Sequence, residues 1–278
     1  MRNAYKVFKI TLNNGVQMPS VGLGTWPMTR ELYRVVPMAF LAGYRAFDTS
    51  EAYGNEHFLG RSLQFFPRKR IFVTTKLSNS GQRRGNVREE LLNSLNKLRL
   101  HEVDLYLMHW PVPETFLSSW KQMEVLYKEG FARAIGVCNF HQHHLDRLLG
   151  IASVVPAVNQ IELHPLLSQE PLVHFCQKRG IAVESYSPLA RMDRKLVMNS
   201  TILEISTKYD KTAAQIVLRW IVQSGFAACP KSSSYRRLKQ NIGIFNFELA
   251  NEDMLSISRL NCDYRVRHNP DTADFSKL

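Results

Sequence analysis

The sequence has few cysteines and no long apolar run. Its four cysteines stand far apart in 278 residues, without a C-x-x-C pair or the Cys/His spacing of a zinc site. No run of about 18 apolar residues occurs, and the opening segment has no apolar core of signal-peptide length. These absences predict reduced thiols in a soluble, cytoplasmic protein with no membrane partner.

The chain also lacks a Pro-, Gly- or Ser-rich stretch that would separate two domains. Hydrophobic residues make up 45% of it and charged residues 22%, which indicates a globular protein with a large core. One α/β barrel of roughly 250 residues would use the whole length. We therefore favour a single domain over residues 1–278, with two smaller domains as the alternative.

The formal charge of +12 raises the question of an anionic partner. The basic residues lie in short, scattered groups, with no long basic arm and no RNP-type aromatic motif. A solvated basic surface is therefore favoured, and nucleic-acid binding is the weaker alternative. We expect a monomer with no nucleic-acid partner.

Short β-branched segments alternate with longer amphipathic ones. In the segment 86–98, Val87, Leu91, Leu95 and Leu98 recur at helical spacing. Strand followed by helix, repeated about eight times, predicts parallel strands with right-handed crossovers. The predicted strands are 20–24, 45–48, 71–76, 103–109, 132–137, 157–161, 181–185 and 226–230, and the predicted helices include 31–42, 86–98, 115–129, 166–178 and 212–223.

Two architectures fit this alternation, a closed barrel and an open doubly wound sheet. An open sheet that binds a nicotinamide normally carries G-x-G-x-x-G after its first strand. Gly22 and Gly24 end the first predicted strand, but no third glycine stands three residues on. We therefore predict an α/β fold, a (β/α)8 TIM barrel. Asn13-Asn14-Gly15, flanked by 6–11 and 16–18, predicts an N-terminal β-hairpin before it.

Reactive side chains stand at the ends of the predicted strands. Asp48, Lys76 and His109 end the second, third and fourth strands. Asn139, Gln160, Tyr186 and Lys231 occur at or just after the ends of later strands. In a barrel these ends meet on one face, where active sites form. A structural ion pair would explain Asp48 and Lys76 alone, but it would leave His109 unexplained.

Three long motifs in this order resemble the signatures of the aldo-keto reductases. They span 45–56, 97–111 and 230–241, and shorter matches occur at 136–140 and 159–162. The resemblance covers residues 14–275 and is closest in pattern to bacterial and plant-like members with short loops, such as the diketogluconate reductases. It implies reduction of aldehydes and ketones with hydride from NADPH (NADP+ when oxidised).

The resemblance implies a catalytic set of Asp48, Tyr53, Lys76 and His109. Reduction of a carbonyl requires a proton on oxygen, and a tyrosine hydroxyl near pKa 10 is a poor acid at neutral pH. Lys76 would lower that pKa as a nearby cation, and Asp48 would hold Lys76 in place. His109 would orient the substrate oxygen while Tyr53 donates the proton.

Cofactor and substrate positions follow from the same resemblance. The expected cofactor-binding residues are Gly24, Thr25, Trp26, Asp48, Cys138, Asn139, Gln160, Tyr186, Ser187, Leu189, Lys231, Ser232, Ser233, Ser234, Arg237, Gln240 and Asn241. The expected substrate-binding residues are Trp26, Tyr53, His109 and Trp110, and a C-terminal tail after Asp263 is expected to cover the active-site face. Cys138 replaces a usual serine, and Gln240 replaces a usual acidic residue.

A metal site is not expected. His141, His143 and His144 lie close in sequence, but no third ligand for His141 and His144 is apparent, so a solvated helix start is favoured. Two other functions remain open: a binding or structural protein on the same scaffold, and the nucleic-acid binder. The predicted partner is a small-molecule carbonyl substrate.

Overall fold

The computed structural model describes residues 8–275 and residue 277. The chain begins with a hairpin of β1 (Lys9–Thr11) and β2 (Gln17–Pro19). Eight parallel strands then follow, each paired with its neighbours in chain order. They are β3 (Gly22–Gly24), β4 (Ala46–Asp48), β5 (Phe72–Leu77), β6 (Leu105–Met108), β7 (Ile135–Cys138), β8 (Val158–Glu162), β9 (Ala182–Tyr186) and β10 (Ala227–Cys229).

The first and last of these strands meet and nearly close the sheet. A parallel bridge joins Val21 to Ala228, and the Ala228 N–H donates to the Ser20 carbonyl at 2.9 Å. Gly24 lies at the same seam, where a Cβ atom would stand only 3.0 Å from the Cys229 carbonyl oxygen. This close approach disfavours any side chain larger than that of glycine. The predicted (β/α)8 barrel is confirmed.

Helices surround the barrel because one face of each is apolar. In α4, all four predicted face residues, Val87, Leu91, Leu95 and Leu98, are buried. The helices are α1 (Leu32–Ala42), α2 (Glu56–Leu63), α3 (Asn79–Arg84), α4 (Val87–Leu98), α5 (Phe116–Lys128), α6 (Gln142–Leu149), α7 (Glu170–Lys178), α8 (Arg194–Val197), α9 (Ser200–Tyr209), α10 (Ala213–Gln223), α11 (Tyr235–Ile242) and α12 (Asn251–Ser258).

The α7 helix begins four residues later than the segment 166–178 predicts. Gln169 has a φ of +49°, and Pro171 is the second helical residue, where its missing N–H costs no hydrogen bond. The Leu166 carbonyl accepts instead from the N–H groups of Cys262 and Tyr264. Leu166 thus anchors the C-terminal segment and does not belong to the helix.

The hairpin covers the amino-terminal end of the barrel. Leu12 and Met18 pack against inward-facing residues at the starts of the strands, among them Phe72 and Leu105. The Asn14 side chain donates to the Arg133 carbonyl at 2.9 Å. The predicted hairpin is confirmed, although residues 6 and 7 of its first strand lie outside the described residues.

The C-terminal tail crosses the opposite end. The Glu162 carboxylate, at the end of β8, accepts from the N–H groups of Val266 at 2.6 Å and Arg267 at 3.0 Å. Further along, the rings of His268 and Phe275 lie 6.4 and 6.0 Å from the Trp110 ring. The predicted tail over the active-site face is confirmed.

All four cysteines are unpaired. Within residues 8–275, no helix has both the length and the apolar composition needed to span a membrane.

Candidate active site

A cavity of about 470 Å³ opens at the carboxyl ends of the strands. Most of the predicted site residues line it: Gly24, Thr25, Trp26, Asp48, Tyr53, His109, Trp110, Cys138, Asn139, Gln160, Tyr186, Ser187, Leu189 and Lys231. A larger cleft of about 630 Å³ lies at the hairpin end. Five of its thirteen lining residues are lysine or arginine, and no residue of the predicted catalytic set contributes to it. The chemistry therefore concentrates in the smaller cavity.

An ion pair between Asp48, which lines this cavity, and the buried Lys76 lies at its base. The Lys76 Nζ donates to both Asp48 carboxylate oxygens, at 2.6 and 2.8 Å, and to the Thr49 carbonyl at 2.9 Å. Lys76 is 1% exposed. The Tyr53 hydroxyl stands 3.5 Å from the same Nζ atom. The ammonium and its counterion are thus buried together, with the partly buried Tyr53 phenol beside them.

The charges of this group follow from burial and proximity. Burial alone would lower the pKa of Lys76, but the Asp48 carboxylate raises it well above its ordinary value. Burial raises the pKa of Tyr53, and the Lys76 cation opposes this increase only in part. Lys76 thus acts in the predicted direction, but Tyr53 remains fully protonated in the structure. It is placed to give up a proton only when charge develops nearby.

His109 faces the cavity as a neutral ring. Burial, together with Lys76 and Arg267, lowers its pKa to about 3. Its Nδ1 atom lies 3.3 Å from the Ser50 hydroxyl, which also accepts from the Ala52 N–H. If the Ser50 hydroxyl donates to Nδ1, the His109 Nε2 atom carries the proton and becomes a donor.

The amide of Gln160 has a defined orientation. Its Nε2 group donates to Asp48 at 3.0 Å and to Glu184 at 2.8 Å. Both amide protons are therefore used, and Oε1 remains as the acceptor, 3.5 Å from the Cys138 sulfur. Burial, with Asp48 nearby, raises the pKa of Glu184 to about 7.

Asn139 is oriented by a second set of bonds. Its Oδ1 accepts from the Tyr186 hydroxyl at 2.6 Å, and its Nδ2 donates to the His109 carbonyl at 3.0 Å. The second Nδ2 proton faces the Cys138 sulfur at 3.2 Å, which is a weak acceptor. The cavity therefore presents an amide acceptor from Gln160 beside an amide donor from Asn139.

Aromatic and basic side chains form the outer wall. The Trp26 ring lies beneath two guanidinium groups, that of Arg267 at 5.0 Å and that of Arg191 at 5.8 Å. Arg191 belongs to the loop after β9, where Ser187, Ala190, Arg191 and Met192 all have positive φ. Such backbone is strained for residues with side chains and clusters at ligand clamps.

Six predicted cofactor residues do not line the cavity. Ser232, Ser233, Ser234, Arg237, Gln240 and Asn241 lie on the loop after β10 and on α11. The Arg237 side chain is exposed and Asn241 is buried. Gln240 lines a separate cleft beside Asp210 and Lys211.

Glu184 and Ser50 bond to predicted site residues but were not predicted from the sequence. Glu184 stands two residues before Tyr186 on β9, so strand alternation points both side chains into the barrel, and this signal could have identified it. Ser50 carries no such signal. Its contact with His109 arises where the 3₁₀ turn of Glu51–Tyr53 begins.

Comparison with known proteins identifies the family of this site. Residues 20–261 match the sequence profile described as the Aldo/keto reductase family. The chain belongs to this family. As an aldo-keto reductase, it is an oxidoreductase of a family that reduces carbonyl groups with a nicotinamide cofactor.

Bacterial aldo-keto reductases resemble it over nearly their whole length. It is 42% identical to the methylglyoxal reductase DkgA of Escherichia coli strain K12, over 94% of this chain and 96% of the relative. It is 41% identical to a glyoxal reductase of Bacillus subtilis, with the same coverage. The crystal structure of MGS-M4, an aldo-keto reductase from a deep-sea metagenome library of the Medee basin, superposes with a TM-score of 0.92 at 39% identity, covering 96% of this chain and 99% of that one.

Proposed function

We propose that this aldo-keto reductase reduces aldehydes and ketones to alcohols with NADPH, with Tyr53 as the proton donor. The observation that carries the proposal is the buried Lys76 ammonium, paired with Asp48 and 3.5 Å from the Tyr53 hydroxyl. The neutral His109 shares this cavity. A structural ion pair would require neither a phenol nor a histidine beside it.

The cavity fits a nicotinamide carboxamide. That group offers an N–H donor and a carbonyl acceptor, and the oriented Gln160 Oε1 and Asn139 Nδ2 atoms complement the two. The Tyr186 ring lines the same cavity and supplies an aromatic face for stacking. When bound here, a reduced nicotinamide would supply the hydride.

The residues of the chain would control the proton. His109 Nε2–H would donate a hydrogen bond to the substrate oxygen and orient it. The Tyr53 hydroxyl would transfer its proton to the same oxygen as negative charge develops there. The Lys76 ammonium would then stabilise the phenolate, and Asp48 would keep Lys76 charged. Such general acid catalysis typically contributes about 10²–10⁴-fold to a rate.

Basic residues near the cavity mouth support a preference for NADPH. Lys231 lines the cavity, and Arg237 is exposed on α11, which follows directly after the loop of Ser232 and Ser233. Lysine, arginine and serine donors suit a phosphate dianion such as the adenosine 2′-phosphate. The other outlying residues, Ser234, Gln240 and Asn241, are proposed to serve the adenosine half.

Small carbonyl compounds are the proposed substrate class. Trp26 and Trp110 provide apolar walls around the polar pair of Tyr53 and His109, which suits small aldehydes and ketones. The two relatives named for methylglyoxal and glyoxal reduction support dicarbonyl substrates.

The proposal also covers the cellular compartment, the number of domains and the oligomeric state. Unpaired cysteines, three of them buried, suit a reducing cytoplasm. We further propose that residues 1–278 form one domain, active as a monomer.

Initial rates with methylglyoxal, glyoxal and 4-nitrobenzaldehyde, measured with NADPH and with NADH, test the proposal. Turnover with NADPH well above that with NADH is expected. Absence of carbonyl reduction with both cofactors would favour a binding protein on the same scaffold, and equal turnover would contradict the NADPH preference.

A further inference from the structure

The start of α6 and the C-terminal tail bring metal-binding side chains together outside the active site. His143 Nε2 lies 3.1 Å from His144 Nε2 and 3.4 Å from an oxygen of Asp271. All three donor atoms lie within 4.8 Å of one another. The sequence indicated no third ligand here because Asp271 lies far from these histidines along the chain. The tail supplies it.

The distances suit a tetrahedral ion. With metal–nitrogen and metal–oxygen bonds of about 2.1 Å, neighbouring ligand atoms of a tetrahedron stand about 3.4 Å apart. Two of the three distances in the cluster are already close to this value. The third distance, between His144 Nε2 and the Asp271 carboxylate, is at most 4.8 Å and can shorten through Asp271, whose side chain is 41% exposed. Imidazole with carboxylate is a ligand set of zinc, nickel and copper sites.

We propose that His143, His144 and Asp271 form a binding site for a divalent transition-metal ion of the zinc type, with water completing the coordination. The remaining oxygen of Asp271 is 2.8 Å from His141 Nδ1. This bond orients the carboxylate, as outer hydrogen-bond partners do at metal sites. His141 thus supports the site without belonging to it.

Binding a metal ion at this site costs one helix-capping hydrogen bond. His144 Nδ1 accepts from the His141 N–H at 3.1 Å, so a neutral His144 carries its proton on Nε2. Coordination through Nε2 moves that proton to Nδ1 and breaks this helix-capping bond, which is worth about 1 kcal/mol. Binding is therefore weaker than at a site already in the right tautomer.

A metal ion here would fasten the tail to the barrel. Asp271 lies between His268 and Phe275, whose rings contact Trp110 of the active-site cavity. The ion would join this stretch of tail to α6. It would therefore restrain the wall of the cavity without touching the proposed catalytic residues.

Equilibrium dialysis of tag-free protein against Zn²⁺, with metal content measured by mass spectrometry, tests the site. One equivalent per chain is expected. His143→Ala and Asp271→Asn should each weaken binding more than tenfold, and His141→Ala should weaken it by about 10–100-fold. His174→Ala, which removes an exposed histidine on α7, is the matched control and should bind like the wild type.

Hydrogen exchange of residues 266–275 provides a second readout. Zn²⁺ should slow exchange there in the wild type but not in Asp271→Asn. No stoichiometric binding to the wild type would overturn the proposal. Binding that survives Asp271→Asn but is lost in His143→Ala would show adsorption to surface histidines only and would also overturn it.

Discussion

The Lys76–Asp48 pair should behave energetically as one unit. Lys76 and Asp48 are 1% and 7% exposed, and Lys76 directs two of its hydrogen bonds to the carboxylate. Asp48→Asn would remove the counter-charge and leave the ammonium with one neutral amide oxygen, the Thr49 carbonyl and the more distant Tyr53 hydroxyl. Removing one partner of a buried ion pair costs about 3–5 kcal/mol. Lys76→Met should cost a similar amount, because Asp48 would keep only its bond from Gln160.

The double variant Asp48→Asn/Lys76→Met leaves neither charge unpaired. It should therefore be more stable than the sum of the single effects predicts, by about 2–3 kcal/mol. Urea unfolding followed by tryptophan fluorescence and circular dichroism gives the three differences. The same cycle on the exposed pair Arg88 and Glu129, by Arg88→Met and Glu129→Gln, is the control and should show at most about 1 kcal/mol.

Additive single effects at Asp48 and Lys76, within about 0.5 kcal/mol, would refute this reasoning. The two charges would then be stabilised independently. Asp48 could not be what keeps Lys76 protonated, and the proposed support of the Tyr53 phenolate would lose its basis.

Three further predictions concern the cofactor and pH. The 3-acetylpyridine analogue of NADP⁺ lacks the carboxamide N–H, so the wild type should bind NADP⁺ more tightly by roughly 2- to 12-fold, the worth of one hydrogen bond. Gln160→Met should reduce this preference. An unchanged ratio would show that Gln160 does not bind the carboxamide. Arg237→Ala should weaken NADPH by roughly 10- to 100-fold while sparing NADH in fluorescence titrations, and equal losses would contradict the 2′-phosphate assignment. The pKa of Glu184 is raised from 4.5 to about 7, so its contribution to stability is fully present below pH 4.5 and is lost as the pH rises through 7. Relative to Glu184→Gln, the wild type should lose about 3 kcal/mol of unfolding free energy between these limits; parallel stability curves would show that Glu184 ionises normally.

The sequence predicted those parts of the site that lie at strand ends. Asp48, Lys76 and His109 were identifiable because parallel strands of a barrel end on one face and because three motifs appear in the family's order. The amphipathic face of α4 was equally readable from its spacing. Local periodicity and motif order carry this information without any knowledge of tertiary contacts.

The remaining parts depend on contacts between distant segments. Asp271 meets His143 only because the Glu162 carboxylate fastens the tail across the barrel. The α7 helix begins later than predicted because Leu166 bonds to the C-terminal segment. The net pKa of Tyr53 depends on burial, which a nearby lysine in the sequence does not reveal. Such effects require the folded structure.

Single-turnover hydride transfer by Tyr53→Phe is the most direct test of the proposed mechanism. The substitution keeps the aromatic ring and removes only the hydroxyl beside Lys76. NADPH fluorescence titration is expected to show nearly unchanged binding, because other residues are proposed to hold the cofactor. The transfer rate to an aldehyde should fall by about 10²–10⁴-fold. Transfer at nearly the wild-type rate would show that the proton comes from another group and would contradict the role given to Tyr53.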